Sequence, residues 1–450
     1  MSELPAGDLL PNMIETPPGP RSRALAARLR LYESPNITYV SDDTPVVWAE
    51  ANGANVLDVD GNIYIDVTAG FGVAATGHRN RSVVEAVRGQ LDSLAHGLGD
   101  VHPPEIKVRL LERLAEITPP GLQMSILASS GAEAVEVALK TARLASGRPG
   151  VLCFSGSYHG LTYGALSVTD GAYFRRPFEN QLGIPTVRSP FPDPHRPAPE
   201  LQSRGDVLGA TLESVSKNLD ADGRIGAILV EPVLGRGGIV VPPDGFLSGL
   251  REECDRRDLL LIFDEVFTGF GRTGRWFACE HEGVVPDLLC VGKALSGMFP
   301  ISACVGRPEV MEAWPTSSGE AMHTSTFLGH PLACAAALAQ IDEIEGRGLV
   351  ARSAQLGKTM LDQLREASIR IPSIGDVRGR GLMAGIELIR DDGSREPDRE
   401  RAERLVLDAL RRGLILLGGG HVIQLSPPLT ITEPQLLFAL ETLEDCLASA

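Results

Sequence analysis

Two apolar runs in this chain end in residues that could do chemistry together. The run Leu259–Phe263 is followed by Asp264, and the run Leu288–Val291 is followed by Gly292 and Lys293. Short apolar runs are typical of buried strands, and the carboxyl ends of parallel strands are where α/β sheets bind ligands. We therefore expect an acid and an amine at neighbouring strand ends. Such a pair suits a lysine that forms a Schiff base and an aspartate that holds a protonated pyridine ring.

Each of the two residues also has a simpler interpretation. Asp264 could cap the turn that follows it, and taken alone this is as good an explanation as ligand binding. Most lysines are solvated surface charges. Lys293 differs because it follows an apolar stretch, and burial would lower the pKa of its amine toward the neutral, nucleophilic form.

A third motif could hold an anion. The small residues Ser130, Gly131 and Ala132 precede a helical pattern over Ala132–Leu144. Free backbone N–H groups and the helix dipole make such an N-terminus a phosphate site, and Ser130 can add a hydroxyl donor. Without other support, Ser-Gly before a helix is more often only a cap.

A fourth motif is the aromatic pair Tyr158 and His159, which lies between two glycines after the apolar run Val151–Phe154. A flat side chain there could stack on a flat ligand, although a packed loop aromatic is the simpler explanation of the pair alone. The order of the motifs is stronger evidence than any one of them. A phosphate turn, a stacking aromatic, a strand-end acid and a strand-end lysine follow one another along the chain.

Composition narrows the class of protein. The chain has 450 residues, 43% hydrophobic and 22% charged, enough for a large core and more than one domain. A net charge of −16 without a basic run argues against a nucleic-acid partner. Seven dispersed cysteines without Cys-x-x-Cys indicate a reducing compartment and no metal site. No apolar run approaches the roughly 18 residues of a membrane helix and no signal peptide is recognisable, so we expect a cytoplasmic protein without a membrane partner.

The pattern along the chain predicts an α/β fold. Residues 76–335 alternate helical periodicity with short apolar runs, which indicates a large, mainly parallel sheet covered on both faces. Hairpin-type turns at Asn52-Gly and Asp60-Gly precede it, so residues 1–75 form an N-terminal arm and strands that pack with the small domain. Residues 336–450 read as that smaller α+β domain. A non-catalytic or nucleotide-binding α/β protein is the rival class.

Together the motifs resemble those of the class III pyridoxal-phosphate aminotransferases of fold type I. The resemblance runs from about Val46 to the C-terminus. Its most specific stretches are Asp58-Val-Asp-Gly-Asn-Ile-Tyr-Ile-Asp, Thr76-Gly-His, Ser130-Gly-Ala-Glu-Ala-Val-Glu, Tyr158-His-Gly, Glu231-Pro-Val, Asp264-Glu-Val-Phe-Thr-Gly-Phe-Gly-Arg-Thr-Gly, Gly292-Lys and Thr326-Phe-Leu-Gly-His-Pro-Leu. It implies pyridoxal 5'-phosphate as the cofactor, an amine or amino acid and a keto acid or aldehyde as substrates, and a homodimer or a dimer of dimers.

The resemblance also implies roles for single residues. Lys293 would carry the Schiff base and then move a proton between substrate and cofactor, while Asp264 would bind the pyridine nitrogen. The other cofactor-binding residues that it implies are the ring-stacking Tyr158 and Val266, the phosphate turn of Ser130, Gly131 and Ala132, His159, Glu231, and Thr326, which would reach the phosphate in the neighbouring subunit.

Departures from the family pattern concern the substrate. Members acting on 4-aminobutyrate or ornithine with 2-oxoglutarate have an arginine before Pro-Pro-Leu, where this chain has Gln424. The glutamate that pairs with that arginine corresponds to Arg236, and the arginine after Tyr-His-Gly of a 4-aminobutyrate enzyme is Leu161. Arg236 could bind a carboxylate from another direction or lie in solvent. Phe71 would line the substrate mouth, and Phe267 replaces a glutamine that commonly touches the cofactor. A racemase or epimerase on the same scaffold is the alternative activity.

Overall fold

The structure is a computed structural model that describes residue 4, residues 6–202 and residues 205–449. The outer limits of the first and last predicted domains, residues 1 and 450, lie outside the described residues. The chain divides into two compact units, Met1–Arg81 with Arg352–Ala450 and Ser82–Ala351. The domain boundaries placed at residues 75 and 335 stay a prediction. No helix in the described ranges combines the length and apolar character that a bilayer crossing requires.

The strands of the described residues, in chain order, are β1 (Trp48–Asn52), β2 (Asn55–Asp58), β3 (Ile63–Asp66), β4 (Met124–Ala128), β5 (Gly150–Phe154), β6 (Thr186–Ser189), β7 (Ile225–Val230), β8 (Leu260–Asp264), β9 (Leu288–Val291), β10 (Ser302–Gly306), β11 (Ile374–Gly379), β12 (Ala384–Leu388), β13 (Leu414–Ile415), β14 (Leu417–Gly419) and β15 (Val422–Leu425).

The α-helices, in the same order, are α1 (Pro20–Tyr32), α2 (Ala69–Gly72), α3 (Arg81–Ser93), α4 (Glu105–Ile117), α5 (Gly131–Ser146), α6 (Tyr163–Val168), α7 (Ala172–Arg175), α8 (Pro199–Gln202), α9 (Val207–Ala221), α10 (Phe246–Arg257), α11 (Pro308–Met311), α12 (Pro331–Gly346), α13 (Leu349–Arg370), α14 (Arg399–Arg411) and α15 (Glu433–Ser449). Short 3₁₀ helices span Arg176–Gln181, Ala278–His281 and Lys293–Leu295.

The first unit contains two four-stranded sheets, in the orders β1-β2-β3-β13 and β11-β12-β15-β14. The turn between β2 and β3 is held by a buried polar network. The carboxylate of Asp58 accepts hydrogen bonds from the backbone N–H groups of Asp60 and Asn62, each at 2.9 Å, and from the Tyr64 hydroxyl at 2.7 Å. Each of these buried polar groups has a hydrogen-bond partner, so their burial does not disfavour the hairpin.

The second unit is built on a seven-stranded sheet with the order β4-β10-β9-β8-β7-β5-β6. The neighbours from β9 to β6 run parallel, whereas β10 is antiparallel to both β9 and β4. This confirms the predicted α/β class with a large, mainly parallel sheet. It also places the carboxyl ends of β7, β8 and β9 side by side, since these three strands are neighbours.

Helix α5 packs on this sheet through small side chains. Its buried face carries Ala134, Val135, Ala138 and Ala142, which belong to one apolar cluster with residues of the central strands. Alanine at three of these four places lets the helix approach the sheet closely. The helix begins where the Ser130 hydroxyl accepts the backbone N–H of Glu133 at 3.2 Å, the usual geometry of a serine N-cap.

Candidate active site

Asp264, the last residue of β8, is held by a buried histidine. Its Oδ2 atom lies 2.8 Å from Nδ1 of His159, and both side chains are buried. Its Oδ1 atom accepts the backbone N–H of Val266 at 3.1 Å. Because a carboxylate only accepts hydrogen bonds, Nδ1 of His159 is the protonated ring nitrogen. The other ring nitrogen, Nε2, is buried and has no hydrogen-bond partner among the described residues.

Lys293 lies on the neighbouring strand end. It follows β9 after Gly292 and has a left-handed backbone with a φ of 43°. Residues other than glycine rarely adopt this conformation, and such strain is concentrated at functional sites. Asp264 pairs with Cys290 across β8 and β9, so the acid and the lysine leave adjacent strands of one sheet. The predicted neighbourhood of the two strand ends is therefore confirmed.

The electrostatic surroundings of Lys293 favour its neutral form. Burial of the ammonium lowers the pKa of Lys293 to about 8, while the negative charges of Asp264 and Glu231 act in the opposite direction. The positive charges of Arg236 and Arg272 lower it further. At neutral pH the amine thus has a far larger uncharged fraction than an ordinary lysine.

The start of α5 approaches the same strand ends. A Cβ atom added to Gly131 would lie 2.9 Å from Cγ1 of Val266, closer than side chains normally pack. Likewise, a Cβ atom at Gly160 would lie 2.5 Å from Cβ of Ala132. Glycine is therefore needed at 131 and 160, and the small Ala132 keeps the helix start close to the loop that carries His159. The N–H groups of Gly131 and Ala132 precede any partner within the helix and can bind an anion, whereas the N–H of Glu133 is bound by the Ser130 hydroxyl.

Glu231 ties two loops of the site together. This buried residue follows β7, and its two oxygens accept the backbone N–H groups of Tyr158 and Gly235, each at 2.8 Å. Burial raises the pKa of Glu231 to about 7, against the effect of those two hydrogen bonds and of His159. The position of the Tyr158 backbone therefore depends on a carboxylate 73 residues further along the chain.

Aromatic rings lie against the side chains of Lys293 and Arg236. The Nζ atom of Lys293 lies 3.8 Å from the centre of the Phe267 ring. The guanidinium carbon of Arg236 lies 4.6 Å from the centre of the Tyr158 ring and 5.5 Å from that of Phe174. Tyr158 and Phe174 themselves meet edge to face, with centres 5.8 Å apart.

The contacts described above do not include the remaining predicted site residues. Leu161 is 47% exposed, and Thr326 is exposed in the segment before α12. Phe71 and Gln424 belong to the first unit, where Phe71 is 63% exposed with a φ of 63° and Gln424 is buried in β15. Their roles toward a substrate stay predictions.

Two contacts of this site are not foreseen from the sequence. Phe174 meets both Tyr158 and Arg236, yet it lies in α7, a helix too short to have a recognisable periodicity in the sequence. Phe267 is named in advance only as a departure from a family pattern, and its contact with Lys293 arises because β8 and β9 are neighbours. The signal in the sequence is that Phe267 lies in the turn directly after the predicted strand end at Asp264.

The arrangement provides a carboxylate, an amine of lowered pKa, a helix start with free N–H groups and an aromatic side chain. These groups suit a flat cationic heterocycle with an aldehyde and a phosphate. No group of three or more histidine, cysteine or carboxylate side chains in the described ranges could hold a metal ion.

Comparisons with known proteins agree with this chemistry. The family model for class-III aminotransferases matches residues 38–447. The 4-aminobutyrate aminotransferase of Mycobacterium leprae is 38% identical over 441 residues, 96% of this chain and 96% of that protein. The alanine/serine racemase of Pyrococcus horikoshii is 34% identical over 446 residues, 96% of this chain and 92% of that protein. A solved amine transaminase from an uncultivated Pseudomonas species, in its PLP-bound form, has a TM-score of 0.87 and 32% identity, covering 93% of this chain and 98% of that chain.

Proposed function

This chain belongs to the class III aminotransferases, which use pyridoxal phosphate to move an amino group from an amine or amino acid to a keto acid or aldehyde, and we propose that Lys293 and Asp264 carry this reaction. The observation that carries the proposal is their placement. They leave the adjacent strands β8 and β9, with His159 2.8 Å behind the carboxylate.

The side chains present match the three reactive parts of the cofactor. The Asp264 carboxylate suits a protonated pyridine nitrogen, and the Lys293 amine suits the aldehyde. The helix start at Ser130, Gly131 and Ala132 suits the phosphate, because it combines free N–H groups with the positive end of the helix dipole. Tyr158 and Val266 would cover the two faces of the ring.

When bound, pyridoxal phosphate supplies an aldehyde that takes up the amino nitrogen and a ring that draws electrons from the substrate carbon. With the cofactor bound, the Asp264 carboxylate would face the ring nitrogen, and the hydrogen bond from His159 orients that carboxylate. Lys293, with a pKa of about 8, has a neutral amine available at working pH. Its Nζ atom takes a proton from the substrate carbon and returns that proton to a neighbouring position.

Other residues support these groups. Glu231 positions Tyr158 through the backbone bond at 2.8 Å. We propose that Thr326 serves the phosphate site of a second subunit, so that the active form is a homodimer or a dimer of dimers. The exposure of Thr326 and of the neighbouring Phe327 is consistent with coverage by such a subunit. All seven cysteines are buried and unpaired, which supports a cytoplasmic location.

A half-reaction tests the proposal without knowledge of the natural acceptor. Purified holoenzyme is mixed with a single amine donor, and the visible absorption of the bound cofactor is followed. We expect one cofactor equivalent to be converted to its amine form per active site, and Lys293→Ala to abolish the conversion. No conversion with any of a broad series of amino acids and simple amines would contradict the proposal.

Racemisation is the second candidate, because one relative of similar coverage is an alanine/serine racemase. A racemase would move a proton to the opposite face of the same carbon and leave the amino group in place. The two activities are separated by incubating the enzyme with a pure L-amino acid and no keto acid. Catalytic appearance of the D-amino acid would favour racemisation, whereas stoichiometric formation of keto acid favours transamination.

A further inference from the structure

We propose that Arg236 selects substrates that carry a carboxylate, by pairing its guanidinium with that group beside Lys293. This inference rests on the proposed transaminase function and names its substrate class, an amino acid rather than a simple amine. The discrimination between amino acids and simple amines would then depend on one residue in the loop that follows β7.

The guanidinium of Arg236 lies against two aromatic rings. Its central carbon lies 4.6 Å from the centre of the Tyr158 ring and 5.5 Å from that of Phe174. A ring face attracts the cation without taking up an N–H donor as a carbonyl or a carboxylate would. Contact with two rings restricts the guanidinium before a ligand arrives, which lowers the entropy that binding costs.

The N–H donors of Arg236 have no hydrogen-bond acceptor among the residues that the structure describes. The side chain is exposed, and across residues 6–202 and 205–449 it forms no ion pair or hydrogen bond with a carboxylate or a carbonyl. Arg272 is the contrasting case, since it also acts on Lys293 but is only 1% exposed. Of these two arginines, Arg236 is the one that a dissolved substrate can reach.

A chain of contacts joins the Arg236 loop to Lys293. The backbone N–H of Gly235 donates to Glu231 at 2.8 Å, which anchors the loop directly before Arg236. A Cβ atom at Gly235 would lie 2.7 Å from Cδ1 of Phe267, so this loop packs tightly on that ring. The same ring lies 3.8 Å from Nζ of Lys293. Consistent with this proximity, the charge of Arg236 lowers the pKa of Lys293.

Carboxylate is the group that this geometry fits. Two parallel N–H donors of a guanidinium match the two oxygens of a carboxylate, and these charge-assisted bonds are stronger than neutral ones. An amine without a carboxylate would leave the Arg236 cation unpaired. A substrate with a carboxylate therefore gains binding that the corresponding simple amine lacks.

The test compares donors that differ only in the carboxylate. Half-reaction rates are measured for 4-aminobutyrate and butylamine, and for alanine and ethylamine, with wild-type holoenzyme and the variants Arg236→Leu and Arg236→Lys. Arg224→Leu is the matched control, because Arg224 lies directly before β7 and is exposed, whereas Arg236 follows the other end of that strand.

We expect Arg236→Leu to lower kcat/KM for the carboxylated donors by about 10- to 100-fold and to change the values for simple amines by less than about 3-fold. For the carboxylated donors, kcat/KM of Arg236→Lys should lie between the values of the wild type and Arg236→Leu, since lysine keeps the charge without the planar guanidinium. Arg224→Leu should change neither. An equal loss for both members of each pair would overturn the proposal, because it would show that Arg236 only positions Tyr158.

A binding measurement separates this proposal from the reaction itself. Acetate, butyrate and hexanoate lack the amine and are titrated calorimetrically into each holoenzyme. Binding of at least one acid to the wild type and its loss in Arg236→Leu are expected. Failure of all three to bind the wild type, or equal binding to the variant, would overturn the proposal. If acids bind through Arg236 while no amine is converted, only the transaminase assignment fails.

Discussion

The Nζ atom of Lys293 lies 3.8 Å from the centre of the Phe267 ring, on the turn that follows Asp264. The face of an aromatic ring attracts a cation, whereas burial disfavours one. The ring and the negative charges of Asp264 and Glu231 thus oppose the burial that lowers the pKa of Lys293 to about 8. The amine is neutral enough to accept a proton, and the ammonium that results is still stabilised.

Replacing this ring tests its contribution. Phe267→Leu keeps an apolar side chain and removes the cation–π contact, so the pKa of Lys293 should fall by roughly 0.5 to 1 unit. The pH dependence of cofactor uptake by the apoenzyme reports that pKa, because the neutral amine is the reacting form. Phe267→Tyr keeps the ring and should leave the profile in place. An unchanged profile in Phe267→Leu would show that the contact has no electrostatic effect.

The bond between His159 and Asp264 should set cofactor affinity. His159→Phe keeps a ring but removes the donor at 2.8 Å from the carboxylate. A hydrogen bond to a charged group contributes about 1.5–3 kcal/mol, so the affinity for pyridoxal phosphate should fall roughly 10- to 100-fold. His159→Asn can place an N–H near the same position and should lose less affinity for pyridoxal phosphate than His159→Phe. Equal cofactor dissociation constants in His159→Phe and wild type would contradict this role.

The close approach of Gly131 and Val266 predicts a coupled pair. Gly131→Ala would place a Cβ atom 2.9 Å from Cγ1 of Val266, and relief of this overlap should cost about 1–3 kcal/mol of stability. Adding Val266→Ala removes the obstructing methyl groups, so the double variant should be more stable than the sum of the two single effects. Urea unfolding of the four proteins measures this coupling. Strictly additive losses would mean that the helix start has room to move.

Glu231 should make stability depend on pH in a defined direction. Its pKa is raised from an ordinary 4.5 to about 7, so its folded state binds more protons than the unfolded state between these values. The stability from this group is fully present below about pH 4.5 and is lost as the pH rises through about 7. Glu231→Gln removes the titration, so the wild type should lose stability relative to this variant between pH 5 and 8. Urea unfolding across that pH range measures the difference. A wild type that gained stability relative to Glu231→Gln as the pH rises would contradict this prediction.

The parts of the fold that were predictable are those with strong local patterns. The apolar run Leu288–Val291 has the limits of strand β9, and the helical pattern Ala132–Leu144 lies within helix α5. The strand Ile374–Gly379 is different, because its sequence Ile-Gly-Asp-Val-Arg-Gly contains no apolar run. Pairing with β12 makes it a strand, and such long-range pairing is not visible in a local window.

The same distinction holds for the candidate site. The types and positions of Lys293 and Asp264 follow from two strand ends, so the sequence predicts them as a pair. The partner of Asp264 is His159, 105 residues away, and that contact depends on how the loop after β5 folds over β8. The stacking of Arg236 on Tyr158 likewise joins two loops that follow different strands. Such residues can be identified one at a time in the sequence, whereas the contacts between them depend on the order of the strands in the sheet.

The most direct test of the account is the covalent attachment point of the cofactor. Purified holoenzyme is reduced with borohydride, digested with protease and analysed by mass spectrometry. We predict a yellow protein in which reduction adds one pyridoxyl phosphate per chain, on the peptide that contains Lys293, and no addition in Lys293→Ala. A colourless protein that takes up no added pyridoxal phosphate, or attachment at another lysine, would contradict it.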